Sequence, residues 1–352
     1  MFIKGDGDAF ATMNVQTFPV KLKAKDYATD QEIRWCPGCG DYAIVRAMQN
    51  TMAELQAPPE KTVFISGIGC AARFPYYMAT YGFHTIHGRA AAIATGTKLA
   101  NPELDVWVIS GDGDSLSIGG NHLMHVLRRN VDLQYILFNN EIYGLTKGQY
   151  SPTSQTGTRS PSSPLGSLDN PVSGTEFALG CGARFVARGI DTQLKRLPEI
   201  FKRAKDHHGA SFVEVFQNCI VYNDGVFDNF AKKSVANDQQ ILCEQGNPLI
   251  FGKNKDKGLR LVHNQLELEV VTIGENGISI DDILVHDETN KMLAYLLANM
   301  KSPLFPTAIG VLFCNPSETY ESAVHKQLQS EIQKNPEADL NALLRQGSTW
   351  KV

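Results

Sequence analysis

Residues 105–149 constrain the fold more than any other part of the sequence. They contain two short apolar runs, at residues 106–109 and 133–138, rich in the β-branched, aromatic and aliphatic side chains of buried strands. Between the two runs, residues 118–129 repeat apolar positions with the period of a helix. A crossover helix between two strands makes those strands parallel. We therefore predict an α/β protein built on an open, mostly parallel sheet with helices on both faces.

Both predicted strands of this segment end in polar residues. Gly111-Asp112-Gly113 follows the first strand, and Asn139-Asn140 follows the second. The carboxyl ends of parallel strands share one edge of the sheet, and open α/β sheets bind their ligands at that edge. Carboxylate and amide oxygens suit Mg²⁺, and glycines let the backbone approach a phosphate. The pattern predicts a diphosphate held through a divalent metal, and two ordinary strand-end turns are the alternative interpretation.

The cysteines suggest a second cofactor. The chain has seven of them, an odd number, and no signal-peptide pattern, which favours reduced thiols over a disulfide framework. Four fall in a C-x₂-C turn or directly after predicted strands of the same sheet: Cys36, Cys39, Cys70 and Cys219. Four converging thiolates suit a [4Fe–4S] cluster or a structural zinc. We expect the other three to be ordinary core residues: Cys181, Cys243 and Cys314.

Charge and hydropathy exclude several classes of protein. Lysine and arginine total 33 against 37 aspartates and glutamates, a net charge of −4, and no basic block occurs. Nucleic acid is therefore not expected as a partner. No apolar run reaches the roughly 18 to 20 residues of a membrane span. We expect a cytoplasmic protein with no membrane partner.

The chain of 352 residues is long enough for one large domain and an appendage. We assign residues 1–30 to an amino-terminal extension and residues 31–230 to the α/β domain. Residues 231–352 are expected to form a smaller subdomain that packs on the main domain or on a partner. Residues 151–171 are rich in Ser, Thr, Pro and Gly, and they are a candidate lid beside the site.

Six motifs, in order, resemble those of the β subunits of 2-oxoacid:ferredoxin oxidoreductases. They read WCPGCGDYAI, GIGC, HGRAAAIATGTKLANP, GDGDSLSIGGNHL, FNNEIYGLTKGQYSPTS and QNC, and the resemblance covers about residues 23–227. RFPYYMATYGFHTIHGRA, NNEIYGLTKGQYSPT and NDGVFD are most similar to the 2-oxoglutarate branch of that family. The resemblance implies the fold that binds thiamine diphosphate (TPP).

The resemblance also implies a set of ligands. A [4Fe–4S] cluster would be held by Cys36, Cys39, Cys70 and Cys219. Mg²⁺ would be held by the side chains of Asp112 and Asn140 and the main-chain oxygen of Ile142. TPP would contact Ile68, Gly69, Cys70, Ala71, His87, Gly88, Arg89, Gly113, Asp114, Gly144 and Leu145.

The activity implied by the resemblance is oxidative decarboxylation of 2-oxoglutarate with coenzyme A to succinyl-CoA and CO₂, or the reverse reaction. TPP acts as an electron sink, and a nearby cluster can pass the electrons on to ferredoxin. An α subunit would supply the carboxyl group that activates TPP, so this chain alone would be inactive. Among residues near the predicted sheet edge, Arg73 and Lys147 could pair with the distal carboxylate of the substrate, and His87 could move a proton.

Three alternatives stay open at this stage. The substrate could be pyruvate or 2-oxoisovalerate, with the same cofactors. The chain could be a TPP decarboxylase or synthase without redox chemistry, although nothing in that chemistry needs four thiolates. It could also be a module that binds zinc and serves as a scaffold.

Overall fold

A computed structural model of the chain describes residues 21–334 and 339–350. Its strands are β1 (Thr62–Ser66), β2 (Tyr81–His84), β3 (Asp105–Gly111), β4 (Leu133–Asn139), β5 (Phe185–Ile190), β6 (Ala210–Phe216), β7 (Gln240–Cys243), β8 (Ile250–Phe251), β9 (Lys257–Leu261), β10 (Leu268–Thr272) and β11 (Thr307–Cys314). Eight of them form the main sheet in the order β2-β1-β3-β4-β6-β5-β11-β7. All neighbours in this sheet are parallel except β5 and β11. The predicted open, mostly parallel sheet is confirmed.

Helices cover both faces of this sheet, as predicted. They are α1 (Asp41–Leu55), α2 (Ala90–Ala100), α3 (Asp112–Leu116), α4 (Gly120–Arg129), α5 (Gly174–Gly180), α6 (Arg196–Asp206), α7 (Asp228–Ala231), α8 (Ala236–Gln239), α9 (Lys291–Asn299), α10 (Tyr320–Lys334) and α11 (Leu340–Leu344). Side chains of α1 and α6 share one buried apolar cluster with Phe64 of β1. Those of α2, α4, α5 and α9 share the opposite cluster with Val63 and Ile65. Because β1 packs on both sides, it is buried throughout, and its three central residues are all apolar instead of alternating.

The carboxyl-terminal part of the chain completes the main sheet. β7 and β11 are its last two strands, and β10, β9 and β8 form a separate three-stranded antiparallel sheet. The predicted boundary at residue 230 therefore does not separate the two sheets. Most of the predicted extension, residues 1–20, lies outside the described residues. Within the described part of the chain, no helix combines the length and the apolar character needed to cross a membrane.

The predicted strand–helix–strand unit positions the functional edge of the sheet. β3 and β4 pair in parallel from Trp107 opposite Gln134 to Gly111 opposite Phe138. β1 and β6 flank this pair, also in parallel. The carboxyl ends of four neighbouring strands therefore meet at one edge, and the motifs identified in the sequence follow those ends.

Candidate functional site

A cavity of about 550 Å³ lies at the carboxyl edge of β1, β3 and β4. Most residues predicted to contact TPP or Mg²⁺ line it: Ile68, Gly69, Cys70, Ala71, His87, Asp112, Gly113, Asp114, Asn140, Ile142, Gly144 and Leu145. Gly88 and Arg89 are not among the lining residues, although they directly follow His87. The chain thus brings four separate predicted motifs to one cavity.

The Asp112 carboxylate is enclosed at this edge, with only 3% of the residue exposed. Its Oδ2 accepts hydrogen bonds from Ser151 Oγ and Thr153 Oγ1, each at 2.6 Å. Burial raises the pKa of Asp112, while the two hydroxyl groups act in the opposite direction. Ser151 and Thr153 were not singled out in the sequence, because they belong to a hydroxyl-rich loop in which no local pattern distinguishes them.

Asn140 faces the same cavity as Asp112. Its Nδ2 donates to Gln217 Oε1 at 2.8 Å, and its Oδ1 accepts from the backbone N–H of Ile142 at 3.2 Å. These bonds fix the amide with its oxygen on the side of Ile142. One cavity is thus lined by all three residues predicted to hold a divalent metal: Asp112, Asn140 and Ile142.

Asp114 has a different environment from the one expected of a residue that contacts a cofactor. Its Oδ1 accepts hydrogen bonds from the backbone N–H of Gly88 at 2.7 Å and of Ile68 at 3.1 Å. The same oxygen lies 2.7 Å from His87 Nδ1, and Oδ2 accepts from Ser110 Oγ at 2.5 Å. The carboxylate is thus engaged by protein donors, and it joins the loops that follow β1 and β2.

The contact between Asp114 Oδ1 and His87 Nδ1 also sets the orientation of the His87 ring. With Nδ1 directed at the Asp114 carboxylate, Nε2 is the ring nitrogen left for other contacts, and the ring lines the cavity. His87 is therefore oriented for a contact with a ligand in the cavity.

The four predicted cluster cysteines line a second cavity, of about 210 Å³. A Cβ atom on Gly144 would lie 3.5 Å from Cys219 Sγ and 3.6 Å from Cys70 Sγ, so these two sulfurs converge on the same glycine. Burial raises the pKa of the Cys70 thiol to about 12 and also raises that of Cys39. A ligand of positive charge would be needed to hold these sulfurs as thiolates.

The two cavities share a wall. Five residues line both of them: Cys70, Asn140, Gly144, Leu145 and Gln217. Gly144 has no side chain to separate the two spaces. Gln217 belongs to the QNC motif, but no pattern in the sequence assigned it a role. Whatever occupies one cavity lies next to the occupant of the other.

The two cations predicted to recognise the substrate lie on the cysteine side of this wall. Arg73 and Lys147 both line the smaller cavity and not the larger one. Arg73 also lines a neighbouring opening of about 420 Å³ together with His84, Ile68 and Leu145. All seven cysteines are free, as expected. Cys243 is buried in the core beside the small sheet, and Cys314 contacts His207.

Comparisons with known proteins agree with this architecture. Residues 67–215 match the family described as thiamine pyrophosphate enzyme, C-terminal TPP binding domain. The chain is 46% identical over 343 residues to the 2-oxoglutarate oxidoreductase subunit KorB of Mycobacterium tuberculosis, a match that covers 96% of this chain and 91% of that protein. It is 46% identical over 198 residues to subunit beta of the 2-oxoacid:ferredoxin oxidoreductase 1 of Aeropyrum pernix, covering 56% of this chain and 62% of that protein.

A solved structure gives the same result. The fold matches the 2-oxoglutarate:ferredoxin oxidoreductase from Magnetococcus marinus, solved with 2-oxoglutarate, coenzyme A and succinyl-CoA bound. The TM-score is 0.74 at 32% identity, and the match covers 94% of this chain and 97% of that one. The resemblance stated from the motifs is confirmed: the chain belongs to the β subunits of the 2-oxoacid:ferredoxin oxidoreductase family.

Proposed function

We propose that this chain is the β subunit of a 2-oxoglutarate:ferredoxin oxidoreductase. The enzyme would convert 2-oxoglutarate and coenzyme A to succinyl-CoA and CO₂, or run in reverse, with TPP, Mg²⁺ and a [4Fe–4S] cluster. One observation carries the proposal: the cavity suited to a metal-bound diphosphate and the cavity lined by four cysteines share the wall at Gly144.

The residues of the larger cavity fit a diphosphate and its metal. Asp112, Asn140 and the main-chain oxygen of Ile142 supply hard oxygen ligands of the kind that Mg²⁺ prefers. Gly113 lies against the ring of Tyr143, and a Cβ atom at position 113 would overlap that ring. Backbone is therefore the only part of residue 113 that this side of the cavity accommodates, as close approach to a phosphate requires.

The cysteines fit a cluster better than a single zinc ion. Four sulfurs that bind one zinc at about 2.3 Å lie within about 4 Å of one another. In residues 21–334 and 339–350, no group of three or more His, Cys, Asp or Glu side chains is arranged to hold a single metal ion. Cluster sulfurs bind different irons and stand farther apart, which suits cysteines that surround a shared cavity.

TPP supplies an electron sink for the loss of CO₂ from a 2-oxo acid, and a cluster can accept electrons singly. The residues of this chain position the groups that take part. Asp114 joins the loop after β1 to the loop that carries His87. Its contact with His87 Nδ1 fixes which ring nitrogen of His87 can meet a ligand. Gly144 and Cys70 bring the two cavities into contact, so that electrons have a short path between them.

A partner α subunit would complete the site. Among the described residues that line the larger cavity, the carboxylates are Asp112 and Asp114, and protein donors engage both. Neither is free to activate the aminopyrimidine of TPP. Ile68 and Leu145 on the rim are 38% and 45% exposed, an apolar surface that suits coverage by another subunit.

The substrate assignment rests on charge. A dianionic 2-oxoglutarate needs a cation for its distal carboxylate, and Arg73 and Lys147 lie beside the shared wall. The relatives named above include 2-oxoglutarate enzymes, which supports the same choice. Ferredoxin is the acceptor that we propose for the electrons.

The test is kinetic. The chain is co-expressed with its α subunit, purified without oxygen and assayed with 2-oxoglutarate, pyruvate and 2-oxoisovalerate, each with coenzyme A and an excess of ferredoxin. We expect the highest kcat/KM for 2-oxoglutarate. A preference for pyruvate would overturn the substrate assignment, and no turnover of any of the three acids by a complex that holds TPP and iron would overturn the proposed reaction.

A further inference from the structure

Two hydroxyl groups of one loop donate hydrogen bonds to the same oxygen of Asp112. Ser151 Oγ and Thr153 Oγ1 both donate to Oδ2 at 2.6 Å, and each of the two residues is 2% exposed. The rest of that loop behaves differently, with Leu165 and Leu168 more than 90% exposed. Residues 151–154 are therefore built into the site, while most of the loop beyond them is exposed.

These bonds give the two oxygens of the Asp112 carboxylate different roles. Two short hydrogen bonds occupy Oδ2, and within the described part of the chain no side chain donates to Oδ1. A carboxylate held in this way presents a single oxygen in a fixed direction, which suits the octahedral, closely spaced coordination of Mg²⁺. Partners of this kind orient metal ligands, and their loss typically weakens metal binding by about 10- to 100-fold.

The same segment also holds the loop that carries the other two predicted ligands. Ser154 Oγ donates to the backbone oxygen of Glu141 at 2.5 Å, and the backbone N–H of Ser151 donates to Ser154 Oγ at 2.8 Å. Glu141 lies between Asn140 and Ile142. Residues 151–154 therefore connect the end of β3, where Asp112 lies, with the loop that follows β4.

Thr153 lies against a buried network on its other side. Its Oγ1 is 3.0 Å from Asn139 Oδ1, and Asn139 Nδ2 donates to Glu214 Oε1 at 2.9 Å. Glu214 in turn forms an ion pair with Arg188 at 2.9 Å, and both side chains are buried. A hydroxyl group has one proton, and the short contact to the carboxylate takes it. The Thr153 hydroxyl therefore donates to Asp112, and its contact with Asn139 Oδ1 is not a second hydrogen bond.

We propose that Ser151 and Thr153 are positioning residues of the divalent-metal site, here called the hydroxyl clamp. By engaging Oδ2 of Asp112, the clamp directs Oδ1 toward the metal and sets the distance between the ligand-bearing ends of β3 and β4. This inference rests on the proposed function, because it assumes that the cavity holds a metal-bound diphosphate.

The test compares Thr153→Val, which keeps the shape and removes the hydroxyl, with Thr153→Ser, which keeps the hydroxyl. Thr156→Val is the matched control, since Thr156 is exposed and its hydroxyl bonds only within the loop, to the backbone oxygen of Asp169. Each variant is purified without oxygen as the complex with the α subunit and stripped of metal with a chelator. The Kd of Mg²⁺ at saturating TPP is then measured by calorimetry, and the Tm of the stripped complex is recorded.

We expect Thr153→Val to raise the Kd about 10- to 100-fold, Thr153→Ser to stay within about threefold of the unmodified chain, and Thr156→Val to change nothing. If Thr153→Val does not fold, Ser151→Ala takes its place with the same expected direction. An unchanged Kd in the hydroxyl-free variant overturns the clamp, and so does a Thr153→Ser variant as weak as Thr153→Val. An unmodified complex that binds neither Mg²⁺ nor TPP overturns the proposed function instead.

Discussion

Replacing Asp114 by alanine should separate the two loops that form one side of the larger cavity. The carboxylate, 3% exposed, accepts from the backbone N–H groups of Ile68 and Gly88, and it fixes the His87 ring. Asp114→Ala leaves both backbone donors without this partner. Asp114→Asn keeps an oxygen where Oδ1 stands and places an amide beside Ser110 Oγ, which can accept from it.

The magnitude follows from the two orphaned donors. A buried donor that loses its partner costs about 1 to 3 kcal/mol, so the pair costs about 2 to 6 kcal/mol when a bound ligand excludes water. A loss of about 3 kcal/mol corresponds to a weakening of TPP binding on the order of 100-fold. For Asp114→Asn we expect a change of less than about tenfold, because both backbone bonds survive.

The assay is TPP titration of the anaerobic complex at saturating Mg²⁺, followed by tryptophan fluorescence or calorimetry. The Tm of each variant without TPP shows whether it is folded. If a folded Asp114→Ala complex binds TPP as tightly as the unmodified chain, the proposed role of this carboxylate is refuted. Equal losses in the alanine and asparagine variants would also refute it, because only the charge would then matter.

Three further predictions follow. Cys219→Ser should lose most of the iron of the complex, measured as iron per chain. Cys243→Ser, which replaces a core cysteine outside the site, should keep its iron, and equal iron contents in the two variants would contradict the assigned ligands. Lys147→Ala should lower kcat/KM for 2-oxoglutarate more than for pyruvate, with the distant Lys253→Ala as control, and unchanged KM and kcat for 2-oxoglutarate would count against Lys147. Burial lowers the pKa of His207 to about 4 from about 6.5, so the folded chain gains stability above pH 6.5 that it loses as the pH falls toward 4. His207→Gln should flatten the pH dependence of the free energy of unfolding by up to about 3 kcal/mol, measured by urea unfolding at pH 4.5 and 7; parallel curves would contradict the assignment.

The sequence predicted those parts of the fold that local patterns determine. The apolar runs at β3 and β4 and the helical period between them are properties of neighbouring residues, so the parallel unit and its polar ends followed directly. The insertion of β11 between β5 and β7 could not be predicted in this way. Its pairing with β5 joins residues more than one hundred positions apart. The sequence of an apolar strand does not indicate which strand it will pair with.

In the candidate site, too, features set by local sequence were predicted and features set by distant contacts were not. Asp112 and Asn140 were identified because they end two predicted strands, and the cysteines because of their turns. The hydrogen bonds of Asp114 and the clamp at Thr153 were missed, because a carboxylate beside a glycine or a threonine in a Ser/Thr-rich loop has the same local sequence whether it binds a cofactor, the backbone or nothing.

The central claim is that the occupants of the two cavities exchange electrons across the wall at Gly144. It is tested most directly by electron paramagnetic resonance of the oxidised anaerobic complex before and after the addition of 2-oxoglutarate and coenzyme A. We predict that the spectrum of a reduced [4Fe–4S] cluster forms only when TPP and Mg²⁺ are present. A cluster that stays oxidised while the TPP-loaded complex consumes 2-oxoglutarate, or a complex that contains zinc in place of iron, would contradict the claim.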